Sequence, residues 1–350
     1  MDVLDASDSR LAALTLWVTD TLGFSGCRIE PASADASFRR YFRVTRNDDT
    51  YIVMDAPPDK EDLVPFVRVA RLMAGMGLNV PIVLARDAGQ GFLLLSDLGA
   101  TPYLDELNAG RQVDRLYDDA LSALVTLQTC DDATASNLPK YDATLLLREM
   151  ELLPEWFLVR HLGLTVGPAE RALLDRVFKT LADAALSQPA CLVHRDYHSR
   201  NLLLCAQANP GILDFQDAVY GPVTYDAVSL LKDCYVAWPQ ARVRGWLLKY
   251  RDRLEGAGFA LESDAAQFVR WFDLMGLQRH IKVLGIFARL FYRDGKAGYL
   301  KDLPRVLDYV RTAAADYAET AEFADYVATR IDPAFARASG RALPISARIA

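Results

Sequence analysis

A short polar stretch, "LVHRDYHSRNLLL", lies between two apolar runs at residues 192–204. It contains Asp196 and Asn201, five positions apart, and Asp214 follows 13 residues after Asn201 at the end of the run "GILD". Two strands around a turn would bring Asn201 and Asp214 together at one end of a hairpin. Amide and carboxylate oxygens suit Mg²⁺, which takes its remaining ligands from water and phosphates. The spacing therefore predicts a Mg²⁺ site formed by Asn201 and Asp214.

Asp196 is the residue of this stretch best suited to proton transfer. Its carboxylate can accept a proton from a hydroxyl group that attacks a phosphoryl group. His194 would fix the loop by hydrogen bonds, and Arg195 could meet negative charge. Taken singly, Asp196 could be a helix cap, Asn201 a turn residue and Asp214 a hairpin acid. Their joint spacing favours a catalytic loop for phosphoryl transfer.

The elements around this loop divide the chain into a strand-rich first part and a helical remainder. "SDSRLAALTLWVTDTLGF" predicts a helix, "PASADAS" a loop, "FRRYFRV" and "TYIVMDA" a hairpin, and residues 61–76 a second helix. "GFLLLSDLG" (91–99) predicts a buried strand, and most later segments have helical periodicity. We expect an α+β, bilobal fold with a small strand-rich lobe at residues 1–98 and a large, mostly helical lobe at 99–350.

The composition is that of an ordinary globular chain and excludes several classes of protein. Of its 350 residues, 51% are hydrophobic and 24% are charged. The net charge of −7 argues against nucleic acid as a partner, and no apolar run approaches the ~18 residues of a membrane span. The five cysteines form no CxxC pair, which indicates free thiols in a reducing compartment. We expect a cytoplasmic protein without a membrane or an obligatory protein partner.

Two segments carry a family resemblance. "HRDYHSRNLLL" and "GILDFQDAVYGPVTYDAVSLLKD" resemble the aminoglycoside phosphotransferase/choline kinase-like superfamily, whose fold is like that of protein kinases. The resemblance implies a kinase with ATP and Mg²⁺ as cofactors, in which a nucleotide binds between the lobes. It also implies that Asp196 is the catalytic base and that Asn201 and Asp214 hold the metal.

The same resemblance assigns roles to residues outside the catalytic triplet. The bend "LSDLG" would be the hinge that meets adenine through the backbone of Ser96, Asp97 and Leu98. The element "GPVTYD" implies that Asp226 steadies the catalytic loop, and we expect His194 and His198 to support the loop as well. A protein kinase is not indicated, because no activation loop fits between "LDFQD" and "GPV".

Two departures from the family pattern concern the phosphate side of the site. The loop "ADASFRRYF" is not glycine-rich, and Ser37 is its best candidate for a phosphate contact. The strand "YIVMDA" carries Met54 where related kinases usually place a lysine. We hypothesise that an arginine of "SFRRYFR" binds the phosphate charge, although these arginines could also be solvated on an exposed hairpin. Arg40 and Arg43 would point to opposite faces of a strand, and Arg39 is a third candidate.

Several long segments are similar to one group within the superfamily. "YIVMDAPPDKEDLVPF", "PEWFLVRHLGL" and "QRHIKVLGIFARLFYRDGKAGYLKDLPR" resemble bacterial kinases that act on the anomeric (C1) hydroxyl group of N-acetylmuramate and N-acetylglucosamine. The resemblance implies an amino-sugar substrate and an α-1-phosphate product. That product would feed nucleotide-sugar synthesis in peptidoglycan recycling and bypass the fosfomycin-sensitive step. Residue chemistry alone suggests four side chains for the sugar site: Glu149, Arg195, Arg279 and Lys282.

Two other functions remain open from the sequence. A kinase of an aminoglycoside, of choline or of another small alcohol would share the fold and the catalytic loop, because a fold does not determine a substrate. A nucleotide-binding regulator without turnover is the second alternative, since the usual strand lysine is absent. The basic, aromatic segment "QRHIKVLGIFARLFYR" favours an anionic or sugar ligand over a polycation.

Overall fold

The structure of the chain is a computed structural model that describes residues 8–34, 38–130 and 137–339. Its contacts separate two compact units. The first contains the described residues up to Pro102 together with Asn201–Asp217, and the second contains the others. The predicted boundary after residue 98 assigned Asn201–Asp217 to the C-terminal lobe. By contacts, this segment belongs to the first unit. The functions predicted for the two parts remain predictions.

The first unit is built on a five-stranded antiparallel sheet with the spatial order β1–β2–β3–β5–β4. The nine strands of the described chain are β1 Arg28–Ala34, β2 Arg40–Arg46, β3 Asp49–Asp55, β4 Val83–Asp87, β5 Phe92–Ser96, β6 Ala190–Val193, β7 Leu202–Leu203, β8 Gly211–Ile212 and β9 Val219–Pro222. The predicted β2–β3 hairpin is present. The loop predicted for "PASADAS" is wrong at its start, because Pro31 and Ser33 flank a bulge in β1, and an edge strand tolerates proline.

Two helices and a small hairpin complete the first unit. Helix α1, Ser9–Leu16, contributes Leu14 to a core that it shares with β2, β3 and β5. Helix α2, Leu63–Gly75, begins after Asp62, whose carboxylate accepts the Val64 N–H at 2.8 Å. Strands β7 and β8 form the hairpin that carries Asn201 and Asp214, and it joins this unit through contacts such as Ile212 N–H to Asn79 O at 2.8 Å.

The second unit is mostly helical. Its α-helices are α3 Tyr103–Asn108, α4 Val113–Gln128, α5 Ala143–Met150, α6 Pro168–Leu186, α7 Tyr225–Leu231, α8 Gln240–Gly256, α9 Ala265–Tyr292, α10 Leu303–Ala315, α11 Ala321–Tyr326 and α12 Asp332–Ser339. A wider π-helical segment, Leu153–His161, and a 3₁₀ segment, Ala297–Asp302, interrupt the series. Strands β6 and β9 pair antiparallel, so that β6 delivers the chain into the polar stretch that begins at His194.

Helix α9 is the long central element of the second unit. It is 28 residues long and buried along most of its length, including the charged side chains of Arg279 and Lys282. Gly285 allows the backbone of Leu152 to approach, because a Cβ atom there would lie 2.4 Å from the Leu152 carbonyl carbon. Buried charges are costly unless they are paired, so the buried Arg279 and Lys282 of α9 require polar or charged partners in the core. None of the helices in the described ranges is long and apolar enough to cross a membrane.

Candidate active site

Asn201 and Asp214 lie side by side at one end of the β7–β8 hairpin in the first unit. Asn201 O accepts the Leu213 N–H at 2.9 Å, and Asn201 Nδ2 donates to Asp214 Oδ2 at 3.2 Å. Gln216 Nε2 donates to Asp214 Oδ1 at 2.7 Å. Asp214 has a φ of 62°, a strained backbone conformation that often marks functional positions. The hairpin expected from the spacing thus brings the two residues together, and their role as metal ligands remains a prediction.

The chemistry of this pair fits a hard divalent cation. One carboxylate and one amide oxygen are a sufficient protein contribution for Mg²⁺, which usually keeps waters and binds substrate phosphates. Both oxygens of Asp214 accept N–H donors from neutral side-chain amides. Such donors do not neutralise the carboxylate, so its negative charge can also attract a cation. Across residues 8–34, 38–130 and 137–339, no three His, Cys, Asp or Glu side chains form a cluster that could hold a metal without such outside ligands.

The loop that carries Asp196 is fixed by a buried carboxylate from helix α7. Asp226 is fully buried, and its two oxygens accept the His194 N–H at 2.6 Å and the Arg195 N–H at 2.9 Å. His194 is also fully buried, and its Nδ1 accepts the Asp196 N–H at 3.2 Å. Arg195 has a φ of 77°, so these bonds hold a strained backbone at the residue before Asp196.

A second buried carboxylate, Asp233, holds the far side of the same loop. Its Oδ2 accepts both the N–H and the Oγ–H of Ser199, at 3.0 and 2.5 Å. The hydroxyl group of Tyr197 donates to Ala120 O at 2.8 Å and anchors the loop on helix α4. His198 donates its N–H to Asp196 O at 3.0 Å, and burial lowers the pKa of its imidazole. The loop between β6 and the hairpin is therefore tied down at nearly every residue.

Positive charge surrounds Asp196 within the second unit. Burial raises the pKa of the Asp196 carboxyl, but the charges of Arg279 and Lys282, both on helix α9, outweigh burial and lower this pKa below its ordinary value. The carboxylate is therefore ionised at neutral pH and is a weak base. A weak base suits an acceptor hydroxyl that is itself more acidic than an ordinary alcohol.

Glu149, predicted to contact a sugar, is bound by three donors of the protein. Its Oε1 accepts from Arg195 Nη2 at 2.5 Å and from Lys282 Nζ at 2.9 Å, and its Oε2 accepts from the Tyr141 hydroxyl group. Burial raises the pKa of Glu149, but Lys282 and Arg195 lower it below its usual range. These contacts favour a role in holding Arg195 and Lys282, and a sugar contact by any of the three remains a prediction.

Tyr225 connects the remaining predicted sugar-binding residues. Its hydroxyl oxygen accepts from Arg279 Nη1 at 3.0 Å and from Lys282 Nζ at 2.9 Å. Arg279 Nη1 also donates to Arg195 O at 3.0 Å, so the guanidinium supports the backbone next to Asp196. Arg279 and Lys282 are 4% and 6% exposed, which limits the surface that either could offer to a ligand.

Two of the three candidate arginines for the phosphate side are paired with carboxylates of the first unit. Arg40 donates from Nε and Nη2 to Asp55 Oδ2, at 2.9 and 2.5 Å, and it also pairs with Asp8. Arg43 donates from Nε and Nη2 to the two oxygens of Asp97, at 2.6 and 3.0 Å. A guanidinium with two N–H donors bound to a carboxylate has fewer donors left for a phosphate.

Arg39 has a different partner at the start of the α2 region. Its Nε lies 3.7 Å from Glu61 Oε2, a looser pair than the two above, and Glu61 Oε1 also accepts the Phe38 N–H at 3.2 Å. Met54, at the position of the usual strand lysine, is fully buried in the sheet. The pair of Arg39 and Glu61 resembles the usual lysine–glutamate pair. Here the cation is an arginine that lies just before strand β2, and the acid lies just before helix α2. Ser37 lies outside the described residues.

The predicted hinge residues begin at Ser96, the last residue of strand β5, and continue beyond it. Ser96 donates its N–H to Ile82 O at 3.0 Å, and its Oγ accepts the Ile82 N–H at 2.8 Å. Leu98 O accepts from the Cys205 thiol group at 3.3 Å. Asp97 is occupied by Arg43 through its side chain, which leaves the predicted adenine contact to backbone groups. That contact remains a prediction.

Sequence reasoning missed several residues that shape the site. Asp233 lies just after helix α7, which ends at Leu231, and an acid beyond a helix end gives no sequence signal of burial. The sequence shows Glu61 as an acid just before α2, but its pairing with Arg39, 22 positions earlier, depends on the tertiary structure. Tyr225 had no signal, because an aromatic residue next to an acid is ordinary core composition.

Comparisons with known proteins show which family the chain belongs to. The model of the phosphotransferase enzyme family matches residues 28–264. The chain is 50% identical over 299 residues to an N-acetylmuramate/N-acetylglucosamine kinase of Pseudomonas aeruginosa, covering 85% of this chain and 87% of the relative. It is 47% identical over 332 residues to the protein of the same name in Pseudomonas putida, covering 92% and 96%.

A solved structure supports the fold. An aminoglycoside 2′-phosphotransferase in complex with GDP matches with a TM-score of 0.61 at 17% identity, covering 88% of this chain and 99% of that chain. At this identity the likeness concerns the fold alone. Together with the family match, it confirms the predicted superfamily and the kinase-like α+β fold class.

Proposed function

The chain belongs to the phosphotransferase enzyme family, and we propose that it transfers a phosphoryl group from ATP to the anomeric (C1) hydroxyl group of N-acetylmuramate and N-acetylglucosamine. The observation that carries this proposal is the identity of 50% and 47% to two kinases named for these sugars, over most of both chains. The ionised, weakly basic Asp196 supports it, because an anomeric hydroxyl group is more acidic than an ordinary alcohol.

In the proposed reaction Asp196 accepts the proton of the C1 hydroxyl group as that oxygen bonds to the γ-phosphorus of ATP. The bond between the γ-phosphorus and the β–γ bridging oxygen breaks, and ADP leaves with that electron pair. The products are the sugar α-1-phosphate, ADP and a proton. Catalysis of this kind comes mainly from positioning and from stabilisation of charge, which is consistent with a loop held by Asp226 and Asp233.

Asn201 and Asp214 would hold Mg²⁺ through an amide and a carboxylate oxygen. A bound Mg²⁺ would neutralise charge on the phosphates of the nucleotide. Arg39 is the arginine that we assign to the phosphate side, because Arg40 and Arg43 are bound to carboxylates of the sheet. We also propose that residues 1–98 bind the nucleotide, with adenine against the backbone of "LSDLG", and that residues 99–350 supply the base and the sugar site.

The proposed product suggests where the enzyme acts. A sugar α-1-phosphate is the form from which nucleotide sugars are made, so the enzyme would act in cytoplasmic recycling of peptidoglycan sugars. A route through this product avoids the step that fosfomycin blocks. Cells that depend on this route should tolerate fosfomycin better when they are supplied with N-acetylmuramate.

The proposal is tested with a panel of acceptors in an assay of ADP formation. N-acetylmuramate, N-acetylglucosamine, kanamycin and choline are offered with ATP and Mg²⁺, each alongside the α-methyl glycoside of N-acetylglucosamine. That glycoside is the matched control, because it keeps every hydroxyl group except the one at C1. We expect turnover of both free amino sugars and none of the glycoside.

Each other result of the panel has a clear meaning. Turnover of the glycoside would contradict the C1 assignment but keep a sugar kinase. Turnover of kanamycin or choline alone would indicate a kinase of another small alcohol. Nucleotide binding without turnover of any acceptor would indicate a regulator.

A further inference from the structure

Arg200 is an exposed cation in the catalytic loop, four residues after Asp196. Its guanidinium carbon lies 4.4 Å from the ring centre of Tyr235 and 5.7 Å from that of Tyr299. In the described part of the chain it makes no ion pair within 4 Å, and Asp302, a nearby acid, pairs with Arg305 at 3.2 Å. The arginine is therefore held by aromatic faces rather than by a carboxylate.

The aromatic platform under Arg200 is itself fixed. Asp233, which holds Ser199 of the catalytic loop, also accepts the Tyr235 N–H at 2.9 Å. The Phe287 ring of helix α9 lies 6.2 Å from the Tyr235 ring and 5.2 Å from the Tyr299 ring, so it joins the two tyrosines into one cluster. An arginine stacked in this way is oriented before a ligand arrives, and its planar group still presents N–H donors at its edge.

Contacts link this platform to the proposed base. The His198 ring lies 5.4 Å from the Tyr235 ring, and the His198 N–H bonds to Asp196 O at 3.0 Å. The platform of Arg200 and the backbone of Asp196 therefore have His198 as a common neighbour. All of these residues lie in the second compact unit.

The other cations near Asp196 differ from Arg200. Arg195 and Lys282 both pair with Glu149, at 2.5 and 2.9 Å. A second arginine on two aromatic rings, Arg242 over Trp238 and Trp246, also pairs with a carboxylate. Among the described residues, Arg200 stacks on two rings and hydrogen-bonds to Tyr235 without a carboxylate partner, which distinguishes it from Arg242.

We propose that Arg200, oriented by Tyr235 and Tyr299, binds the carboxylate of an acidic amino sugar and so favours the acidic over the neutral substrate. The inference rests on the proposed function. N-acetylmuramate carries a lactyl carboxylate that N-acetylglucosamine lacks, and an arginine binds a carboxylate through two parallel N–H donors. A hydrogen bond to a charged group contributes about 1.5–3 kcal/mol, which corresponds to about 10- to 100-fold in kcat/KM.

The test compares kcat/KM for the two sugars in the wild type and in Arg200→Met, Arg200→Lys and Arg242→Met. The ratio of the two values from one preparation is independent of the fraction of folded enzyme, so a partly unfolded variant is still informative. In Arg200→Met we expect the ratio of N-acetylmuramate to N-acetylglucosamine to fall about 10- to 100-fold. Arg200→Lys should restore part of the ratio, because it keeps the charge, and Arg242→Met should leave the ratio as in the wild type.

Three results would contradict different parts of these proposals. An unchanged ratio in Arg200→Met, with both sugars turned over by the wild type, would overturn the role of Arg200 and leave the proposed function intact. An equal loss for both sugars would do the same, because it would show that Arg200 acts on the loop and not on the carboxylate. A wild type that phosphorylates neither sugar would overturn the proposed function, and the role of Arg200 would be withdrawn with it.

Discussion

The two carboxylates proposed for the reaction differ in what surrounds them. Asp196, in the second unit, lies in the field of Arg279 and Lys282, which lower its pKa in spite of burial. Asp214, in the first unit, accepts from the neutral amides of Asn201 and Gln216. Neutral donors orient a carboxylate without cancelling its charge, whereas cations stabilise the ionised form and weaken it as a base.

The difference teaches how one type of side chain can serve two purposes. A carboxylate that is to hold a cation keeps most of its charge available, and the amides beside Asp214 allow that. A carboxylate that is to accept a proton only during the reaction must stay ionised in the resting enzyme, and the cations beside Asp196 ensure that. Substitutions that change each environment in turn test this difference.

Removing the charge of Asp196 should have the largest effect. In Asp196→Asn the amide cannot accept the proton, so we expect kcat to fall by about 1,000-fold while the fold and ATP binding are kept. Steady-state turnover and nucleotide titration measure the two quantities. Turnover within tenfold of the wild type would refute the assignment of Asp196 as base.

Removing the charge of Asp214 should act through the metal. We expect Asp214→Asn to raise the Mg²⁺ concentration for half-maximal activity at least tenfold, because the proposed pair loses its only negative charge. A Mg²⁺ titration of turnover at fixed ATP gives this value. Asp217→Asn, which alters an exposed acid three residues away, is the matched control. An unchanged Mg²⁺ requirement in Asp214→Asn would remove this residue from the metal site.

Weakening the support of the Asp196 loop should reduce both stability and turnover. Asp226→Asn keeps one acceptor oxygen and leaves one of the two backbone N–H groups buried without its partner. We expect the free energy of unfolding to fall by about 1–3 kcal/mol and kcat by about 10- to 100-fold. Denaturant unfolding and turnover are measured beside Asp308→Asn, a change at an exposed acid. Normal turnover in the destabilised variant would show that the loop does not need this anchor.

In the first unit, Arg39 and Arg40 are expected to have different roles. We expect Arg39→Met to raise the KM for ATP about tenfold, since an ionic contact with phosphate is lost. Arg40→Met should instead lower stability, because fully buried Asp55 loses Arg40 and, among the described residues, keeps Arg10. Nucleotide kinetics and thermal unfolding of both variants decide the matter. A rise in KM for Arg40→Met alone would reverse the assignment.

The smallest effect concerns the pH dependence of the base. The pKa of Asp196 is lowered, so the ionised form persists as the pH falls from neutrality, and wild-type turnover should be lost only in strong acid. Lys282→Met removes one of the cations that lower this pKa, and the pKa should rise. The acid limb of the kcat profile should therefore move to higher pH. A limb that stays in place would show that Lys282 does not act on Asp196.

The sequence was sufficient for the motif, the family and the class of fold. Asp196, Asn201 and Asp214 are close in the chain, and a turn between short strands is enough to bring the last two together. The helices after residue 100 were predictable because hydrophobic periodicity is a local property that a single sequence contains.

Contacts between side chains that are distant in the chain could not be predicted from the sequence. Arg43 meets Asp97, 54 residues later, because β2 and β5 flank β3, and no local pattern records that order of strands. The platform of Arg200 joins residues that are 35 and 99 positions further along the chain. Strand β1 was missed because Pro31 suggested a loop, whereas an edge strand with a bulge accommodates proline.

The position of the new phosphate in the product tests the central claim most directly. Wild-type enzyme, N-acetylglucosamine and ATP are incubated, and the product is examined by ³¹P–¹H correlation NMR. We expect the phosphorus to couple to H1 of the α-anomer, and Asp196→Asn to form this product about 1,000-fold more slowly. Coupling to a proton at any other carbon would contradict the claim that Asp196 serves as the base for an anomeric hydroxyl group.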